Sequence, residues 1–180
     1  DASIINIDDN NVVEVWNDGV GNAVNIMHPL SANTGAYELS FDVSILEGRT
    51  AQFALLGETD NDQFSFVYTN IMNGDGTSSI EGTINSNGDT QTFIIDDVAP
   101  WFTVTSHIDL DTGAFIMLIN DTEVYSREIL MYKVKGAHYF AGEELTHYYL
   151  DNFSLSHIES FIVEPPPPPP EAYDDYVLMS

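Results

Sequence analysis

Glu143-Glu144 followed by His147 could be drawn as an acid, a base and a proton carrier, the minimum for hydrolytic chemistry. Adjacent carboxylates on an extended chain point to opposite faces, so they cannot flank one scissile bond as a glycosidase pair must. The chain is therefore read as non-catalytic. It has no cysteine, which removes thiolate nucleophiles and disulfides together. His28, His107, His138, His147 and His157 show no tight metal-ligand spacing, so zinc is not expected. Acidic pairs at turns, such as Asp8-Asp9, Asp96-Asp97 and Asp109 with Asp111, carry the hard oxygens that calcium prefers, but none follows the spaced EF-hand loop. Sugar recognition needs an aromatic ring beside amide or carboxylate groups. Trp16 beside Asn17 and Asp18, Tyr68 beside Asn70, and the run Tyr139, Phe140, Tyr148 and Tyr149 offer that chemistry. From these, Trp16, Tyr139 and Tyr148 are the expected carbohydrate-binding positions. Trp101, Phe102, Phe41 and Phe153 alternate with polar residues and read as core.

Any such residues would be carried on strands. Tyr37, Leu39, Phe41, Val43 and Ile45 alternate with Glu38, Ser40, Asp42 and Ser44, the pattern of a half-buried strand. The same periodicity predicts strands at residues 3–7, 12–16, 23–27, 52–56, 64–68, 92–95, 101–110, 114–119, 123–132 and 148–158. Asn, Asp and Gly clusters separate them and suit hairpin turns. Helix is expected nowhere beyond a turn or two in residues 141–145, and Pro29 and Pro100 fall at strand boundaries. The inward pattern slips by one residue at Asp151-Asn152, which predicts a β-bulge. The fold class is all-β, a two-sheet antiparallel jelly-roll sandwich.

Composition narrows the partners. Twenty-nine acidic residues against four basic ones give a formal net charge of −25, which excludes nucleic acid and anionic membrane for want of clustered Lys and Arg. Salt screening makes such self-repulsion tolerable, so a saline, marine extracellular setting and a secreted or cell-surface bacterial protein are expected. No segment approaches the ~20 apolar residues of a membrane span. Residues 1–163 read as one sandwich domain, residues 164–171 as a polyproline spacer built on Pro165, Pro166, Pro167, Pro168, Pro169 and Pro170, and residues 172–180 as a further strand. At about 3.1 Å per residue, the six prolines hold their ends roughly 19 Å apart.

Residues 101–125, WFTVTSHIDLDTGAFIMLINDTEVY, and residues 149–155, YLDNFSL, resemble the concanavalin A-like, laminin-G-type jelly rolls of bacterial surface proteins and carbohydrate-binding modules. The resemblance implies a long strand, an Asp-Thr-Gly hairpin with its partner, and a closing strand. It also implies structural calcium near the closing strand, with Asp151 as the position for it. The E-x-D-x-x-E motif of catalytic glucanases of this fold is absent. Modules of this type open with a strand that pairs near the closing one, and that strand is missing here. A similar segment, Tyr173 to Met179, occurs after the prolines instead. The leading expectation is a structural or adhesive subunit that self-associates into a filament by strand exchange through Tyr173, Tyr176, Val177, Leu178 and Met179. The alternative is a lectin-like carbohydrate-binding module of a multidomain enzyme or adhesin, with the prolines as a linker.

Overall fold

In residues 37–45 the expected alternation is realised: Leu39, Phe41, Val43 and Ile45 are buried, while Glu38, Ser40, Asp42 and Ser44 stand half-exposed on the opposite face. The computed structural model describes residues 2–7, 10–17, 25–74, 76 and 78–163. Among these residues the strands are β1 (Ala2–Ile7), β2 (Asn10–Trp16), β3 (Asn25–Ala32), β4 (Ala36–Ile45), β5 (Thr50–Glu58), β6 (Phe64–Asn73), β7 (Ile80–Ser86), β8 (Asp89–Ile95), β9 (Phe102–Asp109), β10 (Ala114–Ile119), β11 (Thr122–Glu128), β12 (Lys133–Phe140) and β13 (His147–Ile158). They form a seven-stranded sheet in the order β1-β2-β13-β4-β9-β10-β11 and a six-stranded sheet in the order β3-β12-β5-β6-β7-β8. Neighbouring strands run antiparallel throughout both sheets, giving the two-sheet jelly-roll sandwich.

The core is the set of inward faces. Phe41 of β4 meets Phe53 of β5 and Tyr139 of β12 edge-on, with ring centroids 5.0 and 5.1 Å apart, so the two sheets interlock through aromatic contacts worth about 0.5–1.5 kcal/mol each beyond the area they bury. Tyr148 of β13 crosses the interior, and its hydroxyl donates to the carbonyls of Gln52 at 2.8 Å and Phe140 at 3.3 Å. The Tyr139 hydroxyl is buried without a hydrogen-bond partner among the described residues. Burial pushes both phenols above their ordinary range.

The hairpin joining β9 to β10 is organised by Asp109, which is fully buried. Its Oδ1 accepts the backbone N–H groups of Asp111 at 2.9 Å and Thr112 at 3.1 Å, and Gly113 at φ 78° completes the turn. Burial pushes the Asp109 carboxyl up. The nearby polar side chain of Ser160, the Thr112 and Asp111 amides and the side chain of Thr112 outweigh this and hold it below the usual carboxylate range.

Several elements differ from the sequence reading. β7 and β12 were not expected. β3 runs through Pro29 rather than stopping there, which an edge strand tolerates because its outer N–H groups need no partner. The single strand expected over residues 123–132 ends at Glu128, and the chain then crosses to the other sheet with Ile129 and Met131 buried. Trp101 is 37% exposed instead of core. The bulge does fall where expected, with Asn152 at φ 50° and a register shift between Asp151 and Ser154. The opening segment pairs with the closing strand after all, since β1 and β2 form a hairpin whose second strand lies along β13 from His147 to Leu150. Residues 164–180, including Pro165 to Pro170 and the assembly positions Tyr173, Tyr176, Val177, Leu178 and Met179, lie outside the described residues.

Two stability measurements check this account. Tyr148→Phe should lower stability to urea by about 1–2 kcal/mol because it leaves buried carbonyls short of a donor, whereas Tyr139→Phe should be neutral or slightly stabilising. Because the folded-state pKa of Asp109 is depressed, its contribution is complete above the unfolded carboxylate value near pH ~3.9 and is lost as pH falls through the lower folded value. The melting-temperature gap between wild type and Asp109→Asn should therefore be constant from neutral pH down to about pH 5 and should narrow below pH ~4. A gap that widened on acidification would contradict the assignment.

Candidate functional site

On β6, Val67, Thr69 and Ile71 are fully buried, so Phe66, Tyr68, Asn70 and Met72 must face outward from the six-stranded sheet. The same parity on β12 buries Ala137 and Tyr139 and turns His138 and Phe140 outward. Register then assembles them. Ala54 of β5 pairs with Tyr68 on one side and His138 on the other, and Gln52 pairs with Asn70 and Phe140. The rings of Tyr68 and Phe140 are 5.5 Å apart and those of Phe140 and His138 5.6 Å apart, an aromatic platform across three strands. Ala54 and Gln52, although on the outward face, are only 6% and 1% exposed.

The segment that follows Phe140 holds the platform in place. Gln52 Oε1 accepts the Gly142 N–H at 2.8 Å and lies 3.4 Å from the Thr146 hydroxyl, and the Thr50 and Thr146 hydroxyls are 3.3 Å apart. Glu143 in this segment adds to the burial that raises the Tyr68 phenol. Beyond Asn70 the outer face is recessed into a groove of about 390 Å³ lined by Asn70, Met72, Glu81, Thr83, Thr92 and Ile94, with Gly82 and Phe93. Asn70, Thr83 and Thr92 are direct cross-strand neighbours, so the platform and the groove share one row. From Phe140 to Thr92 that row spans four strand steps, roughly 19 Å at about 4.8 Å each. Such a face can stack rings at one end and hydrogen-bond hydroxyl groups along its length.

The positions expected from sequence fall elsewhere. Tyr139 and Tyr148 are 4% and 0% exposed and belong to the core, so neither presents a ring face to a sugar. Trp16 is half-buried on the outer face of the seven-stranded sheet, opposite His147, whose Nε2 lies 2.9 Å from Glu14 Oε1 and whose ring is 5.7 Å from Tyr149. Tyr68 and Phe140 were among the aromatics noted in the sequence. The groove residues on β7 and β8 were not, because Thr83 and Thr92 carry no signal that singles them out. Glu143 and Glu144 sit exposed in the turn before β13, while His147 faces Glu14.

Asp151 pairs across the strands with Asp42, next to the bulge. Its Oδ1 accepts the Asn152 N–H at 2.8 Å, while Asp42 accepts the Thr103 hydroxyl at 2.6 Å and the Asn152 amide at 2.7 Å. Calcium takes six to eight oxygens, and among the described residues no three or more His, Asp or Glu side chains gather to hold a metal ion. A separate cleft of about 240 Å³ opens between the sheets near the bulge, lined by Val13, Ile26, His28, Tyr139, Leu150 and Phe153 among others.

No protein-family model matches the chain, and no curated protein matches it. Solved structures do. A legume lectin-like domain from Entamoeba histolytica superposes with a TM-score of 0.57 at 14% identity, covering 89% of this chain and 88% of that one. The carbohydrate-binding module CBM66 from Bacillus subtilis gives 0.50 at 12% identity over 86% of this chain and 91% of that one. A sialidase gives 0.57 at 10% identity over 82% of this chain, which spans only 15% of the sialidase's length. The chain shares with these structures the fold of a two-sheet antiparallel jelly-roll sandwich.

Proposed function

We propose that this chain is a non-catalytic carbohydrate-binding module, secreted or displayed at the cell surface, that holds a polysaccharide on the outer face of its six-stranded sheet. The observation that carries the reading is the Tyr68–Phe140–His138 platform running into the Asn70–Thr83–Thr92 groove. Aromatic rings offer flat apolar surface to the C–H face of a sugar, and the amide and hydroxyls beyond them supply both donors and acceptors. The shared fold with structures described as a carbohydrate-binding module and a lectin-like domain supports the same conclusion. No helix among the described residues is long and apolar enough to cross a membrane. Trp16 on the opposite sheet is outside this face.

Native gels cast with soluble polysaccharides test the proposal. Tyr68→Ala and Phe140→Ala should each weaken retardation about tenfold, on the order of 1.4 kcal/mol, while Trp16→Ala should leave it unchanged. Loss of binding in Trp16→Ala with the other two unaffected would move the function to the seven-stranded sheet.

Self-association by strand exchange is a second reading, and one feature favours it. β2 accompanies β13 only from His147 to Leu150, and among the described residues no strand is paired with that edge of β13 from Ser154 to Ile158. Leu155 lies opposite buried Leu39 on the core-facing side and is nevertheless 37% exposed, as expected where a strand is lacking. After β13 the chain heads toward β9, where Phe161 lies 5.8 Å from His107, on the far side of β13 from the open edge. A strand from residues 172–179 would therefore enter that lane more readily in a second molecule. Electron microscopy of the full chain should then show filaments that are absent from a chain ending at Glu164 and from Leu155→Glu. Monodisperse particles in all three samples would reject exchange.

A further inference from the structure

Resting on the glycan-binding reading above, we infer that the polysaccharide held by the six-stranded sheet is uncharged and that polyanionic glycans are excluded. The groove offers Asn70, Thr83 and Thr92, neutral groups that donate and accept, together with the exposed apolar side chains of Met72 and Ile94. Carboxylates lie beside this face. Glu81 lines the groove, and Glu143 lies close enough to Tyr68 to raise its phenol further than burial alone does.

A polyuronate or a sulfated glycan needs fixed cations, ideally arginine forks, to replace the water it loses. This chain has four Lys and Arg in all. Lys133 lies between Glu58 at 3.3 Å and Asp62 at 3.0 Å, Lys135 is 2.9 Å from Glu58, and Arg127 is 2.8 Å from Asp89. Three of the four cations are thus already matched by carboxylates of the same chain. The fourth, Arg49, precedes Thr50, which pairs with Met72 at one end of the groove. Against it stand Glu81, Glu143 and a net charge of −25. Each acidic sugar added to a bound chain therefore brings repulsion, while each neutral sugar brings only stacking and hydrogen bonding.

The experiment compares the full-length protein against galactomannan and laminarin, which are neutral, and against alginate, polygalacturonate and heparin, by isothermal titration at physiological salt with a chelator present. At least one neutral glycan should bind about tenfold or more tightly than every polyanion, its affinity should vary little with salt, and Tyr68→Ala should weaken it. Equal or tighter binding of a polyanion in the chelator, lost in Tyr68→Ala or in Arg49→Gln, would overturn the charge assignment while leaving the glycan-binding face intact. Binding of no glycan at all would overturn the glycan-binding reading itself, and this inference with it.

Discussion

The Tyr148 hydroxyl ties the seven-stranded sheet to the six-stranded one, and the candidate site is built on that tie. From β13 it reaches across the interior to the carbonyls of Gln52 and Phe140, two residues whose side chains belong to the opposite face. Gln52 in turn uses its side-chain oxygen to hold the Gly142 amide, so the segment leaving Phe140 is fixed against β5. A hydrogen bond deep in the core thereby sets where an aromatic ring on the outer surface can stand. Buried polar groups are costly when unpaired, and meeting that demand here gives the site a rigid base.

Charge distribution follows from the same economy of partners. With so few cations, most are bound within the fold: Lys133 and Lys135 both converge on Glu58, whose carboxyl is held below its usual range by Lys135 first, against burial, with Lys133 adding to the effect. Exposed pairs of this kind contribute little stability, since solvent screens them. Their effect is on recognition, because they leave the outer faces dominated by carboxylates. On the seven-stranded sheet, His107 and Glu38 lie 3.0 Å apart and His147 and Glu14 2.9 Å apart, within hydrogen-bond distance.

The two functional readings use different surfaces and do not compete for residues. The glycan face lies on the six-stranded sheet, whereas the open edge of β13 belongs to the seven-stranded one. The bulge at Asp151–Asn152 is what separates β13 into a half accompanied by β2 and a half left open. An extra residue in one strand bends it and ends pairing with a neighbour that lacks the insertion. A single left-handed asparagine, φ 50° at Asn152, thus shapes an entire edge of the sandwich.

Much of this was legible in the sequence, for definite reasons. Residues 37–45, the Asp-Thr-Gly hairpin and the slip at Asp151-Asn152 each write their conformation into local spacing, since period two, turn chemistry and a one-residue offset are properties of neighbouring residues. β7 and β12 escaped because Gly82 and Gly136 interrupt their apolar pattern. Those glycines answer to other strands: a Cβ at Gly82 would collide with the ring of Phe93, and one at Gly136 would come within 2.9 Å of the His28 carbonyl. Tyr139, Phe140, Tyr148 and Tyr149 look alike in sequence as aromatic neighbours. Only the sandwich sorts them, burying Tyr139 and Tyr148 between the sheets and sending Phe140 out to meet Tyr68. The sequence by itself determined that the chain is all-β, acidic and punctuated by hairpins, because each of those follows from residues close along the chain. Which aromatics face water, and which strands they share a row with, depends on register between distant segments, and that was decided by tertiary packing alone.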